Sequence, residues 1–347
     1  MTTAKVTATP APALLSVRDL GKSFPGRRGR TGRRGAPIKA VDGVSFDLAA
    51  GESLGLVGES GCGKSTTGRL IVRLLEPTAG SVHFDGGDIS HLSAGEMRPL
   101  RRNIQMVFQD PHSSLNPRQT VARIIADPLL VQGWTRNDAR RRATELMDLV
   151  GLIPEQLDRY PHEFSGGQAQ RIGIARSLAT SPRLLVADEP VSALDVSVQA
   201  QIVNLMERLR HELDLAYVFI AHDLSVVKRV CDRVAVMYLG RIVEIGDKHA
   251  VYGRPLHPYT RALLSAVPLP DPVAERQRER ITLAGDPPSP AAPPPGCAFH
   301  PRCPKAEAVC RTERPLLRIG APGQHSGQQP GRQPGEDREV ACHFPGD

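Results

Sequence analysis

The chain has 347 residues, of which 40% are apolar and 23% charged, with a formal net charge of +7 and six cysteines. That length predicts one large mixed domain followed by a smaller appendage, and the composition excludes fibrous or wholly disordered classes. No apolar run approaches the length needed to span a bilayer, and Met1 to Ala13 lack the basic start and continuous apolar core of a signal peptide, which predicts a chain that stays in the cytoplasm.

Residues 1–13, rich in Ala, Thr and Pro, read as a disordered N-terminus, and Leu14 to Phe24 as a short strand. A Gly-rich run then carries five of the positive charges, on Arg27, Arg28, Arg30, Arg33 and Arg34. Aromatic residues are 4% of the chain and do not interleave with it, so no stacking platform for bases is present. A solvated or lipid-facing loop is the reading, and no nucleic-acid partner is expected. Lys39 to Leu48 alternates apolar and polar residues, and Ser53 to Val57 is a compact apolar strand running into a glycine loop. A helix is expected from Lys64 through Leu70, Ile71, Leu74 and Leu75 until Pro77 stops it. Ile104 to Phe108 reads as a strand ending on Gln109, followed by a mainly helical segment to about Tyr160. Leu184 to Ala187 is a buried-type strand, and Val198, Ile202, Leu205, Leu209 and Leu213 recur at helical spacing. Tyr217 to Ala221 and Val234 to Met237 are further apolar strands with a helix between them. Strand, crossover helix and strand in repetition imply an α/β fold with a parallel sheet covered by helices. From about Val251 the regular pattern fades into Pro, Gly and four cysteines.

Gly58-Glu59-Ser60-Gly61-Cys62-Gly63-Lys64-Ser65-Thr66 fits the phosphate-binding pattern G-x-x-x-x-G-K-[ST] in its strand-loop-helix context. Glycines let the backbone curl so that N–H groups face the phosphates, and the helix opening at Lys64 adds the positive end of its dipole. Lys64 is expected to neutralise β and γ oxygens and Ser65 to give its hydroxyl to Mg²⁺. A strand ending in Asp188 and Glu189 supplies the second half of such a site: Asp188 to hold Mg²⁺, Glu189 to orient and deprotonate the attacking water.

Those two motifs are shared by many phosphate-loop enzymes. Phe164-Ser165-Gly166-Gly167-Gln168 resembles the signature of ABC ATPases, and it lies the family's usual short distance before the acidic strand end. In the same resemblance Gln109 matches the Q-loop, which reaches Mg²⁺, Ser192-Ala193-Leu194-Asp195 the D-loop, His222 the switch histidine and Phe24 the aromatic residue that stacks on adenine. It runs from about residue 14 to 345. It implies a phosphate-loop ATPase core over 14–250, with a parallel sheet, an antiparallel β subdomain and a helical subdomain at about 111–180. Catalysis is then expected from Glu189, His222, Gln109 and Lys64, and nucleotide binding from Phe24, Gly58, Ser60, Gly61, Cys62, Gly63, Lys64, Ser65, Thr66, Gln109 and Asp188. Ser165 and Gly167, at the start of a helix from Gln168 to Thr180, would meet the γ-phosphate of ATP held by a partner subunit, giving a nucleotide-sandwich dimer that closes on binding and reopens on hydrolysis. One departure is Ala169, where relatives commonly carry a basic residue; it bears on dimer contacts or rate and not on the site itself.

Tyr160-Pro161-His162-Glu163, His257-Pro258-Tyr259-Thr260 and the cysteine tail resemble the dipeptide and oligopeptide importers. Cys297, Cys303, Cys310 and Cys342 are spaced C-x5-C-x6-C-x31-C in residues 251–347, a small regulatory region. A reducing compartment disfavours disulfides. The sulfur-only donor set suits a [4Fe-4S] cluster or a structural Zn²⁺, with free thiols the remaining alternative, and the resemblance favours the cluster. Cys62 and Cys231 stand apart, the first in a variable loop position and the second in the core.

The resemblance implies a peripheral subunit on the cytoplasmic side of the cell membrane. Its partners would be a second, related ATPase chain, two transmembrane permease subunits gripped by the helical subdomain, and an extracytoplasmic substrate-binding protein. A nickel or other small-solute importer shares the nucleotide motifs. A soluble non-transport ABC ATPase is disfavoured by the single cassette and the absence of coiled-coil insertions, and a phosphotransferase would leave the signature, D-loop and His222 unexplained.

Overall fold

The alternating and apolar runs assemble into two sheets in a computed structural model that describes residues 13–26, 35–268, 271–277, 280–319 and 338–346. The expected disorder of residues 1–12 and the Arg/Gly run at 27–34 lie outside the described residues. The strands are β1 (Leu15–Phe24), β2 (Ile38–Leu48), β3 (Ser53–Val57), β4 (Ala79–Phe84), β5 (Gly87–Asp88), β6 (Ile104–Val107), β7 (Leu184–Asp188), β8 (Ala216–Ile220), β9 (Arg233–Tyr238), β10 (Arg241–Asp247), β11 (Arg318–Ile319) and β12 (Glu339–Val340). One sheet is antiparallel, in the order β2-β1-β4-β5; the other runs β11-β12-β10-β9-β3-β8-β7-β6. From β9 to β6 the second sheet is parallel, and β10, β12 and β11 extend its far edge antiparallel.

β3, β7 and β8 are buried at every position, as strands covered by helices on both faces must be, and their largely apolar sequences follow from that, with Ser53 and Asp188 as buried polar ends. The helices Val121–Val131, Arg136–Leu149 and Gly166–Leu178 pack together, with Ile125, Leu129, Leu146, Met147 and Ile172 in a shared apolar core. Thr120, Thr135 and Ser165 cap their N-termini, each side chain accepting the backbone N–H three residues on.

The helix that begins at Lys64 ends at Ile71, short of the expected Leu75. Arg73 turns into the left-handed region at φ 54°, and its buried guanidinium donates to the carbonyls of Ile89 and Leu92 at 2.7 and 3.1 Å. Those long-range bonds end the helix before Pro77 can.

The C-terminal region is joined to the core rather than appended to it. β12 pairs with β10, Glu244 opposite Val340 and Ile245 opposite Glu339, and the helix Pro258–Ala266 packs its Tyr259 into the main apolar core. Among the described residues no helix is long and apolar enough to cross a membrane.

Candidate functional site

β3 delivers the chain into the glycine loop at the carboxyl edge of the parallel strands, where ligands bind in open α/β sheets. The loop needs its glycines: Gly58, Gly61 and Gly63 have φ of 152°, 79° and 107°, and a Cβ on Gly63 would stand 2.2 Å from the Ala40 carbonyl oxygen. Gly63 caps the helix Lys64–Ile71. Lys64 is buried, its Nζ donating to the carbonyls of Gly58 at 2.8 Å and Glu59 at 3.0 Å. Ser60 and Gly61 are exposed at the loop's crest, Ser65 and Thr66 are half-buried behind it, and the Cys62 side chain is turned inward.

The neighbouring strand β7 ends on Asp188, which is 2% exposed and accepts a 2.7 Å hydrogen bond from Ser65 Oγ. Burial pushes its carboxyl above the usual carboxylate range, against the pull of the Ser65 hydroxyl. Glu189 follows in the left-handed region at φ 46°, which turns its side chain off the strand axis toward two other segments. Its Oε2 accepts from Gln109 Nε2 at 3.2 Å and lies 3.3 Å from His222 Nδ1. Gln109 stands just beyond β6 and His222 just beyond β8. Four strand ends therefore bring Lys64, Ser65, Gln109, Asp188, Glu189 and His222 into one place.

Phe24 closes β1, half-buried, with the Lys22 ammonium 5.5 Å from its ring centre. Ser165 and Gln168 bond to each other instead of to the glycine loop: Gln168 Oε1 accepts the Ser165 N–H at 3.0 Å and Ser165 Oγ accepts the Gln168 N–H at 3.4 Å. This capping box fixes the start of the helix Gly166–Leu178, two residues ahead of the predicted Gln168, and leaves the Ser165 side chain exposed. Gly167 packs on Val198 of the helix Val196–Leu213, so the signature and the segment Ser192 to Asp195 before that helix stand side by side. Ser192 Oγ donates to the Glu189 carbonyl at 3.0 Å, while Ala193 and Asp195 are exposed and Leu194 is half-buried against the core. Ala169 is fully buried within its own chain, so that departure from the usual signature fills this chain's core.

Cys297, Cys303, Cys310 and Cys342 line a single pocket together with His300, His343 and Phe299. Burial raises the Cys297 and Cys303 thiols, and burial together with the three neighbouring cysteines pushes Cys342 up to about 11. Among the described residues no group of three or more His, Cys, Asp or Glu side chains is arranged to hold a metal ion. Neither the expected [4Fe-4S] cluster nor the zinc alternative therefore finds a formed ligand group among the described residues. Cys231 is fully buried, as a core thiol.

Contacts that the motif pattern does not signal come from the C-terminal region. Tyr259 Oη accepts the Glu59 N–H at 2.9 Å, and the Arg302 guanidinium meets the Glu59 carboxylate with two bonds of 2.9 and 3.1 Å. Glu59 occupies a free position in the glycine-loop pattern. The sequence signals nearest to these contacts are His257-Pro258-Tyr259-Thr260 and the cysteine tail, both singled out for their resemblance to peptide importers and not for any link to the glycine loop.

Residues 41–192 match the family described as ABC transporter, and residues 243–310 match the oligopeptide/dipeptide transporter C-terminal region. The chain is 54% identical to the oligopeptide transport ATP-binding protein AppF of Bacillus subtilis over 98% of its own length and 99% of that protein's. It is 53% identical to OppF of Salmonella typhimurium, also an oligopeptide transport ATP-binding protein, over 88% and 92%. Among solved structures it is similar to a dimeric ATP-binding cassette in a post-hydrolysis state bound to ADP and Pi, with a TM-score of 0.60 and 28% identity, covering 67% of this chain and 98% of that one. CbiO1 of Clostridium perfringens, part of an ABC transporter complex, also gives 0.60 at 28% identity, covering 70% and 91%.

Proposed function

We propose, for a chain that belongs to the ATP-binding subunits of ABC transporters in their oligopeptide and dipeptide branch, that it binds and hydrolyses MgATP to power peptide import through membrane permease partners. The observation that carries this reading is the convergence of Lys64, Ser65, Gln109, Asp188, Glu189 and His222 from four strand ends. Lys64, now folded onto the Gly58 and Glu59 carbonyls, would turn to the β and γ oxygens, and the loop N–H groups from Gly61 to Thr66 would take the remaining phosphate charge. Ser65 and Asp188, already paired at 2.7 Å, frame the place of Mg²⁺, and ligation would hold the Asp188 carboxyl ionised despite its burial. Glu189 is the base for the attacking water. His222 and Gln109, both on Glu189 Oε2, orient it and read the γ-phosphate. Phe24 would stack on adenine.

Ser165 to Gln168, a helix start whose exposed Ser165 side chain pairs with Gln168, suit a γ-phosphate brought by a second ATPase chain, and Ser192 to Asp195 suit the dimer seam beside it. The helical subdomain within about 111–180 would receive the permease subunits on the cytoplasmic face of the membrane, and an extracytoplasmic binding protein would deliver peptides to them. Arg176 supports movement of that subdomain with the Q-loop. It reaches from the signature helix to the Ser114 carbonyl at 2.7 Å and lies 5.8 Å from the Phe108 ring, beside Gln109.

For the C-terminal region, within residues 251–347, a [4Fe-4S] cluster on Cys297, Cys303, Cys310 and Cys342 is the proposal. What supports it is that the four cysteines line one pocket. When bound, such a cluster would tie three chain segments together through thiolates. Metal and labile-sulfide analysis of protein purified without oxygen tests it: iron with sulfide supports the cluster, and zinc or no metal refutes it. The ATPase reading is tested by MgATP binding and hydrolysis in Lys64→Ala, which should lose both; unchanged turnover would sink it.

A further inference from the structure

The outer side of the glycine loop is held by the C-terminal region, at a residue the phosphate-binding pattern leaves unspecified. Every polar group of Glu59 is engaged. Its N–H donates outward to Tyr259 Oη at 2.9 Å, and its carboxylate takes two bonds from Arg302. Its carbonyl faces inward, accepting from Lys64 Nζ at 3.0 Å and from the Cys62 N–H at 3.3 Å. The peptide units on both sides of Glu59 are thereby oriented between the tail and the lysine that would meet the phosphates.

The holding groups are themselves well anchored. The Arg302 side chain is 7% exposed, and a bidentate guanidinium–carboxylate pair in such a setting is stronger and more directional than a surface ion pair. Phe299, three residues before Arg302, packs edge-on to Tyr238 at 5.3 Å and against Tyr259 at 5.4 Å. The buried Glu244 carboxylate on β10 accepts the N–H groups of Leu256 and His257, both at 2.9 Å, and so fixes the start of the helix that carries Tyr259. Phe299 and Arg302 both lie between Cys297 and Cys303, so the cysteine segment and the glycine loop share one rigid contact.

We infer that Tyr259 and Arg302 are positioning residues for MgATP. By clamping Glu59, the C-terminal region sets the curvature of the glycine loop and with it the loop's affinity for nucleotide phosphates. The inference rests on the ATPase reading above. Left-handed turns at Gly58, Gly61 and Gly63 make the loop entropically expensive to order, so a clamp that orders it beforehand improves binding without touching the nucleotide.

The test uses the full-length chain, with MgATP titrated calorimetrically into Arg302→Met, Arg302→Lys, Tyr259→Phe, Glu59→Gln and the double variant Arg302→Met with Glu59→Gln. Arg302→Met and Tyr259→Phe should each weaken MgATP binding about three- to tenfold, the scale of one lost hydrogen bond to a charged or ordered group, with Tm near that of the wild type. In the assembled transporter the loss should appear in KM with kcat preserved. Arg302→Lys should recover part of it, and the double variant should be no weaker than the worse single variant, because both changes break the same link. Should Arg302→Met fail to fold, Tyr259→Phe, which removes a single oxygen and leaves the ring in place, decides the matter. Wild-type affinity in the folded variants, or losses that multiply in the double variant, would overturn the clamp while leaving the ATPase reading intact. A wild-type chain that fails to bind MgATP would overturn both.

Discussion

Replacing Glu189 with Gln removes one charge and one basic oxygen and leaves the shape of the site unchanged. The carboxylate stands at a fixed place, turned off β7 by its left-handed backbone and held between Gln109 at 3.2 Å and His222 at 3.3 Å. Gln retains an acceptor oxygen for one of those neighbours but cannot take a proton from water. A positioned general base contributes about 10²- to 10⁴-fold to rate, which at about 1.4 kcal/mol per decade is about 3–6 kcal/mol of barrier. Lys64, Ser65 and the loop N–H groups are untouched, so the Kd for MgATP should stay within about threefold of wild type, the factor worth well under 1 kcal/mol. Calorimetric binding and phosphate release, measured on the same preparation, separate the two effects. Hydrolysis within about threefold of wild type would refute the assignment of Glu189 as base, and loss of MgATP binding would refute the claim that the residue acts only after binding.

Gly63→Ala should abolish measurable MgATP binding and lower stability by about 1–3 kcal/mol, since a side chain there meets the Ala40 carbonyl at 2.2 Å on a backbone at φ 107°; calorimetry and denaturant unfolding read the two losses. Ser165→Ala should cost about 0.5–2 kcal/mol in helix capping and leave MgATP affinity of the isolated chain unchanged. Its hydrolysis in the assembled transporter should nonetheless fall about tenfold, the scale of one lost charge-assisted bond. His257 is 1% exposed, and burial drives its imidazole down to about 3 from an unfolded value near 6.5. The unfolded chain therefore binds more protons between those values. This contribution to stability is fully present above about pH 6.5 and is lost as pH falls toward 3, by up to about 1.4 kcal/mol per unit. Urea unfolding at a series of pH values should show a shallower acid slope in His257→Asn, which retains a side chain able to cap the helix Pro258–Ala266.

The parts of this protein that were legible in sequence are those whose chemistry is local. The glycine loop must have glycines at left-handed positions, and the acidic pair must sit at the end of a buried strand, so both can be read without knowing what surrounds them. The strands of the parallel sheet were legible for a related reason: burial on both faces leaves mostly apolar residues over four to six positions. Less visible were β4, whose first half is exposed, and β11 and β12, two residues each and too short to show any period. The end of the helix at Ile71 was hidden because it depends on Arg73 reaching carbonyls 16 and 19 residues away.

Glu59 marks where motif reading stops. A pattern assigns weight to positions that tolerate one residue type and none to the positions between, and Glu59 is one of the latter. Its partners are 200 and 243 residues further along the chain, in a region whose own signals were a short aromatic motif and four thiols. Once Tyr259 and Arg302 are present, the same position transmits the arrangement of the cysteine segment to the loop that binds the phosphates. Any change that moves Cys297 to Cys303 must therefore either break the Arg302–Glu59 pair or move the loop with it.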